Sequence, residues 1–186
     1  MRYFLERGLF VQKYINFVNE FENKLQDLKE GYSNIIFLCI GTSKIIGDSI
    51  GPFIGKRLKE VENEIVQVYG TTDNMVNFVN AKEIIESIYS SYEKPYLITV
   101  DSTLSNSRAS GDIVLEKGYI KLGKALNKTI CFYSNVNIKC IVGKNYNQIT
   151  KNLEELNNVK LPDIVNMSSI VTYGIKKVLQ KVDVFV

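Results

Sequence analysis

The stretch Asn34-Ile35-Ile36-Phe37-Leu38-Cys39-Ile40 runs through Gly41-Thr42-Ser43-Lys44-Ile45-Ile46-Gly47 into Asp48-Ser49-Ile50-Gly51-Pro52, and its three parts read differently. The first is a short, continuous apolar run bounded by turn residues, the pattern of a strand covered on both faces. The second is a polar turn rich in glycine and hydroxyl residues. The third opens a helix: Pro52 suits a first turn, where its missing N–H is not needed, and Phe53, Ile54, Leu58 and Val61 recur at helical spacing. This strand–loop–helix unit carries a carboxylate at its tip. The reading puts Asp48 or Ser49 near the N-cap, where a side-chain oxygen accepts from the free N–H groups of the first turn.

Working outward, Phe10, Val11, Tyr14, Ile15, Val18, Phe21, Leu25 and Leu28 mark an amphipathic helix before the first strand, closed by Gly31. After the 53–61 helix, residues 64–70 alternate apolar and polar as a second strand and end in the loop Gly70-Thr71-Thr72-Asp73-Asn74. A helix follows over 81–92, then Pro95-Tyr96-Leu97-Ile98-Thr99-Val100 as a third strand leading directly into Asp101. Residues 102–111 are small and polar and read as a loop; 112–116 is a short strand, and the glycine-spaced 117–125 reads as irregular. Residues 129–133 and 136–142 are two further strands, and 146–156 and 161–179 are helices. Strands alternating with helices predict a three-layer α/β/α sandwich on a mostly parallel sheet, with strands near 35–40, 65–69, 96–101 and 130–142. It is read as a single domain over 1–186, with 1–30 a helical extension and 34–179 the core. In such sheets ligands bind beyond the carboxyl ends of the strands, where Asp48 and Asp101 are expected to meet.

Composition narrows the chemistry. With 45% apolar and 23% charged residues in 186, the chain suits one globular domain, and a net charge of +3 gives no sign of a nucleic-acid or membrane partner. The N-terminus mixes charges into its apolar residues, and no span of about 18 apolar residues occurs, so the chain is expected to stay in the compartment that makes it, the cytoplasm. Cys39, Cys131 and Cys140 read as reduced, buried thiols. The chain has no histidine, which removes Ser–His and Cys–His nucleophiles, His zinc sites and a His base. Acid–base work falls to carboxylates, lysine, tyrosine or water.

Each motif has a plain structural reading beside the functional one. A phosphate-binding loop starting at Gly41 would need glycine and lysine where Ile46 and Gly47 stand. Gly47, Gly51 and Gly55, four apart, suit close packing of the helix on the sheet. Asp48 alone could be a cap, Asp101 alone a turn residue; a Ser49 or Ser102 nucleophile would depend on a lysine such as Lys44, and Cys39 suits packing. The two aspartates together, both projected from strand ends, point to a two-carboxylate site.

The segments Cys39 to Pro52 with its Gly-Asp-Ser-x-Gly-Pro box, Gly70 to Asn77, and Val100-Asp101-Ser102 resemble, in that order, the YyaC family of spore proteins, over most of residues 34–178. That family is similar to the germination protease and to the hydrogenase maturation endopeptidases, which implies a phosphorylase/hydrolase-like fold and a sporulation peptidase. In the germination protease the box reads Pro-Asp-Ala-Leu-Gly-Pro and the later strand ends in Asp-Ala, so its catalytic aspartates fall on Asp48 and Asp101. In the hydrogenase endopeptidases the same positions bind metal together with a histidine that this chain lacks. The resemblance thus implies an aspartic dyad and no cofactor, with a weakly held hard cation on Asp48 and Asp101 as the surviving metal version. Around the peptide it places Gly41, Thr42, Gly47 and Ser49 from the first block. Thr71, Thr72, Asn77 and Ser102 come from the other two. The implied partner is a peptide or protein, small acid-soluble spore proteins by analogy, in the mother cell or forespore. Asp48, held ionised by helix N–H groups, would be the base, and Asp101, beside that charge, the acid; N–H groups of the Thr42–Gly47 turn would hold the oxyanion. The alternative is a non-catalytic sporulation protein that binds a peptide or partner in the same cleft.

Overall fold

A computed structural model describes residues 2–122 and 130–181. Its elements follow in the order α1 (Arg2–Lys24), β1 (Asn34–Cys39), α2 (Ile50–Leu58), β2 (Val66–Tyr69), α3 (Ala81–Ser91), β3 (Pro95–Leu104), β4 (Ile113–Leu122), β5 (Ile130–Gly143), α4 (Ile149–Asn157) and α5 (Leu161–Lys181). The sheet order is β2-β1-β3-β5-β4, with β4 antiparallel to β5 and every other pair parallel. Helices cover both faces, as an α/β sandwich requires.

Because side chains alternate along a strand, β1 splits its apolar run between two cores. Ile35, Phe37 and Cys39 join Tyr96, Ile98 and Val100 of β3 and the buried stripes of α1, α2 and α5. Ile36, Leu38 and Ile40 join Leu97 and the α3 residues Ala81, Ile85 and Ile88 on the other face. Helix α2 reaches β1 almost backbone to backbone: a Cβ at Gly51 would lie 2.1 Å from the Ile40 carbonyl oxygen, and one at Gly55 1.9 Å from that of Gly70. The four-residue glycine spacing is therefore a packing device.

The two strands expected at 129–133 and 136–142 are one, β5, and the segment read as irregular at 117–125 is strand as far as Leu122. Residues 123–129 lie outside the described residues. The first half of β5 pairs only with β4, and together they bend over the α3 face, where Leu122 and Phe132 are buried against Ile36, Leu38 and Leu97. At the bend, Asn135 Oδ1 accepts the Leu97 N–H at 2.9 Å and Ser134 Oγ donates to the Leu97 carbonyl at 3.0 Å. Side chains thus replace the ladder where the backbone turns away, so no buried peptide group of Leu97 is left unpaired on that side. No periodicity announces such a bend, which is why the sequence reading breaks there. Cys131, expected buried, is exposed on this ribbon, whereas Cys39 and Cys140 are buried thiols. Among the described residues no helix is long and apolar enough to cross a membrane.

Candidate active site

The loop after β1 is built to present Asp48. Gly41 has φ +142°, a conformation that disfavours side chains, and a Cβ there would lie 2.1 Å from the Asp48 carbonyl oxygen. That oxygen accepts the Thr42 N–H at 2.9 Å, and the Asp48 N–H donates to the Ile45 carbonyl at 3.0 Å, so the aspartate backbone is fixed on both sides. Asp48 is not a helix cap. It closes a single 3-10 turn, Ile46–Asp48, and Ser49 is the residue before α2; the Ser49 hydroxyl donates back to the Ile46 carbonyl at 2.6 Å instead of capping α2.

Strand β3 continues past Asp101 to Leu104, so Asp101 and Ser102 lie within its last turns of pleat and face opposite sides of the sheet. Ser102 Oγ donates to Asp48 Oδ1 at 3.3 Å on the α2 side. There a cleft of about 520 Å³ opens, lined by Asp48, Ser102, Thr103 and Lys121 and closed by Asn145, Asn152 and Leu156. Asp101 opens on an adjoining recess of about 340 Å³ beneath the bent ribbon, with Thr99, Asn137, Tyr119 and Lys139. Thr103 and Lys121 border both cavities. The expected single cleft is therefore two that meet over the end of β3.

Burial pushes the Asp48 carboxyl up to about 6, although the Ser102 hydroxyl and the Thr42 N–H pull the other way. The expected helix-dipole stabilisation is outweighed by desolvation. Asp101 stands well above the ordinary carboxylate range, first because of burial and then because of the negative charge of Asp48; the Ser102 N–H and Lys139 oppose this only in part. The ammonium of Lys139 is bound to Glu116 Oε2 at 2.5 Å. Neither aspartate forms an ion pair among the described residues.

The described residues contain no group of three His, Cys, Asp or Glu side chains close enough to hold a metal, and the chain has no histidine. Two carboxylates alone do not make the carboxylate–carboxylate–histidine set that the sequence resemblance implied for a metal.

Of the residues placed around the peptide from sequence, Ser102 lines the cleft and Thr42 supports Asp48. A Cβ at Gly47 would lie 2.7 Å from the Leu156 carbonyl oxygen, so that glycine seats α4. The Thr71 hydroxyl accepts the Asp73 and Asn74 N–H groups, and Asn77 Oδ1 accepts that of Val79; with Thr72 they shape the loop after β2, and none lines the cleft. In the oxyanion turn, Ser43 N–H is directed to Met75 Sδ at 3.2 Å and Lys44 N–H to Thr42 Oγ1 at 3.3 Å, so much of it holds its own shape. Sequence reading missed Thr103, Lys121 and the Asn145–Leu156 wall. Lys121 reaches the cleft only through the bent ribbon, for which the sequence carries no signal.

The comparisons with known proteins agree with this fold. Residues 11–175 match the family described as Protein of unknown function (DUF1256). The Bacillus subtilis (strain 168) protein YyaC is 30% identical over 143 residues, which is 76% of this chain and 67% of YyaC. The crystal structure of a [NiFe] hydrogenase maturation protease, HycI from Thermococcus kodakarensis KOD1, superposes with a TM-score of 0.55 at 18% identity, covering 84% of this chain and 98% of that one, and so shares the fold. The match over residues 11–175 places the chain in the DUF1256 family, with YyaC as a relative and a mostly parallel five-stranded sheet as its frame.

Proposed function

We propose that this chain is a peptide-bond hydrolase of aspartic type that acts on a spore protein. The observation that carries the reading is the pair Asp48 and Asp101, two desolvated carboxylates near enough for one charge to raise the other, with no ion pair to either among the described residues. Above about pH 6 Asp48 is ionised, and Asp101, pushed well above the ordinary carboxylate range by burial and by that charge, is the group that holds the proton, a division set by their surroundings. A peptide crossing the end of β3 over Ser102 and Thr103 meets Asp48 from one cavity and Asp101 from the other. The Asp48 carboxylate takes a proton from water as its oxygen attacks the carbonyl carbon. Asp101 gives its proton to the leaving nitrogen as the C–N bond breaks. Proton return from Asp48 to Asp101 through cleft water restores the pair.

The test is incubation of the wild type with a small acid-soluble spore protein and with a mixed peptide library, read by mass spectrometry, alongside Asp48→Asn and Asp101→Asn. Cleavage by the wild type that both variants lose supports the reading. Cleavage that survives in both ends the dyad, and absence of cleavage in every sample leaves the non-catalytic binding protein as the reading.

A further inference from the structure

Beyond Asn145 the cleft runs into a second recess of about 570 Å³ between the β3–β4 loop and the segment after β5. Its walls carry Arg108 and Lys144 among hydroxyl and amide side chains, and its one carboxylate is Glu155. Glu155 Oε1 accepts the Lys144 backbone N–H at 2.9 Å, so that carboxylate is committed to the turn after β5. Neither Arg108 nor Lys144 forms an ion pair among the described residues, and the Lys144 ammonium rests 5.5 Å from the centre of the Tyr146 ring.

The loop that bears Arg108 is held in shape. Ser105 N–H donates to the Gly143 carbonyl at 2.9 Å, and Ser105 Oγ accepts the Ser107 and Arg108 N–H groups, each at 3.2 Å. Gly111 N–H closes the far end on the Ile141 carbonyl at 2.8 Å. The guanidinium therefore projects from a fixed base rather than from a free loop, which lowers the ordering cost of binding. Two cations against one committed carboxylate leave the recess positive, beside a cleft whose own centre is carboxylate.

We propose that this recess is the specificity site for an acidic side chain of the peptide, so that the substrate carries Asp or Glu on the side of the bond that leads toward the β3–β4 loop. The proposal rests on the peptidase reading for its substrate. Charge recognition and hydrolysis nonetheless separate in the experiment. The Asp48→Asn/Asp101→Asn double variant is titrated with three fluorescein-labelled Gly-Ala-Ser decapeptides that differ in a single central Glu, Gln or Lys. The Glu peptide should bind about tenfold more tightly than the other two, with the gap closing as salt rises. In a second protein that adds Arg108→Glu and Lys144→Glu, both on exposed positions, the order should invert in favour of Lys. Equal affinity for the three peptides, no binding of any, or an order unchanged by the charge reversal overturns the proposal. Selective binding of the Glu peptide that the wild type then leaves uncut sinks the hydrolase reading and supports the basic recess as a site for acidic side chains.

Discussion

The two faces of β3 differ more as the strand nears its C-terminal end. Toward α2 the strand buries Tyr96, Ile98 and Val100 in unbroken apolar contact, and only Ser102 at the edge is polar. Toward α3 the sequence is Pro95, Leu97, Thr99, Asp101, Thr103, and the apolar character stops at Leu97. Burying polar groups costs free energy unless each finds a partner, and here Thr99 Oγ1 donates to Asn137 Oδ1 at 2.7 Å while Asn137 Nδ2 donates to the Gly118 carbonyl at 3.1 Å. Asp101 continues that polar row without an ion-pair partner among the described residues. Along β3 the α2 face is apolar core up to Val100, whereas from Thr99 onward the α3 face is kept polar beneath the bent ribbon, where stability alone would favour Val or Ile.

The largest expected effect tests that contrast at Asp101. Asn is nearly isosteric, so Asp101→Asn should keep the fold and lower cleavage of a spore-protein substrate by several orders of magnitude, with Asp48→Asn doing the same. Residues that act as a unit are strongly non-additive, so the double variant should be hardly worse than either single one. A multiplicative loss would show two independent roles and break the dyad.

Next in size is the division of stability between the faces. Ile98→Ala leaves a cavity in the α2-side core and should cost about 3 kcal/mol in denaturant unfolding. Thr99→Val, one residue away on the polar face, strands Asn137 Oδ1 without its donor and should cost only about 1 kcal/mol. Equal costs would mean that the polar row carries as much of the fold as the core does.

Asp48→Asn should in turn stabilise the protein near neutral pH. The folded-state carboxyl lies at about 6 against 3.8 for an unperturbed one, so folding takes up a proton between those values and an ionised Asp48 costs stability above them. The penalty is small near pH 4, grows through pH 6 and is then constant. Thermal melts should show the variant ahead by roughly 2 kcal/mol at pH 7.5 and level with the wild type at pH 4. A loss at pH 7.5 would return Asp48 to the role of a structural anchor. Gain of stability with loss of activity is what a strained functional site is expected to give.

The sequence was informative about β1, α2, β3 and α5 because each is a periodic apolar pattern bounded by turn residues, and both aspartates stand beside such patterns. It was least informative about the β4–β5 ribbon. Gly118, Ser134 and Asn135 read as strand breakers, yet here they serve a bend at which the buried Leu97 N–H and carbonyl are met by the Asn135 and Ser134 side chains, 38 and 37 residues away in sequence, and the Gly118 carbonyl by Asn137, 19 residues away. Lys121 enters the site by way of that bend, a tertiary event with no local pattern, whereas Thr103 enters it because β3 runs on past Asp101. The position of Asp48 was legible and the direction of its pKa was not, because burial, which raises it, outweighed the helix terminus expected to hold it ionised.

The smallest expected effect is the one that defines what Ser102 does. Its hydroxyl donates to Asp48 Oδ1 at 3.3 Å, near the long end of useful hydrogen bonds, and it favours the ionised carboxylate. Removing it in Ser102→Ala takes away a stabiliser of the charged form alone, so the Asp48 carboxyl should move further up. Hydrolysis that needs Asp48 ionised falls on the acid side of about 6 in the wild type; in Ser102→Ala that limb should shift to higher pH by somewhat less than one unit, the equivalent of a weak hydrogen bond worth roughly 0.5–1 kcal/mol. The plateau above pH 7.5 should change little, because there Asp48 is ionised in both proteins. A profile lowered by orders of magnitude at every pH would give a different answer: the hydroxyl itself would be the nucleophile with Asp48 as its base, and the water-activating assignment of Asp48 would have to be abandoned.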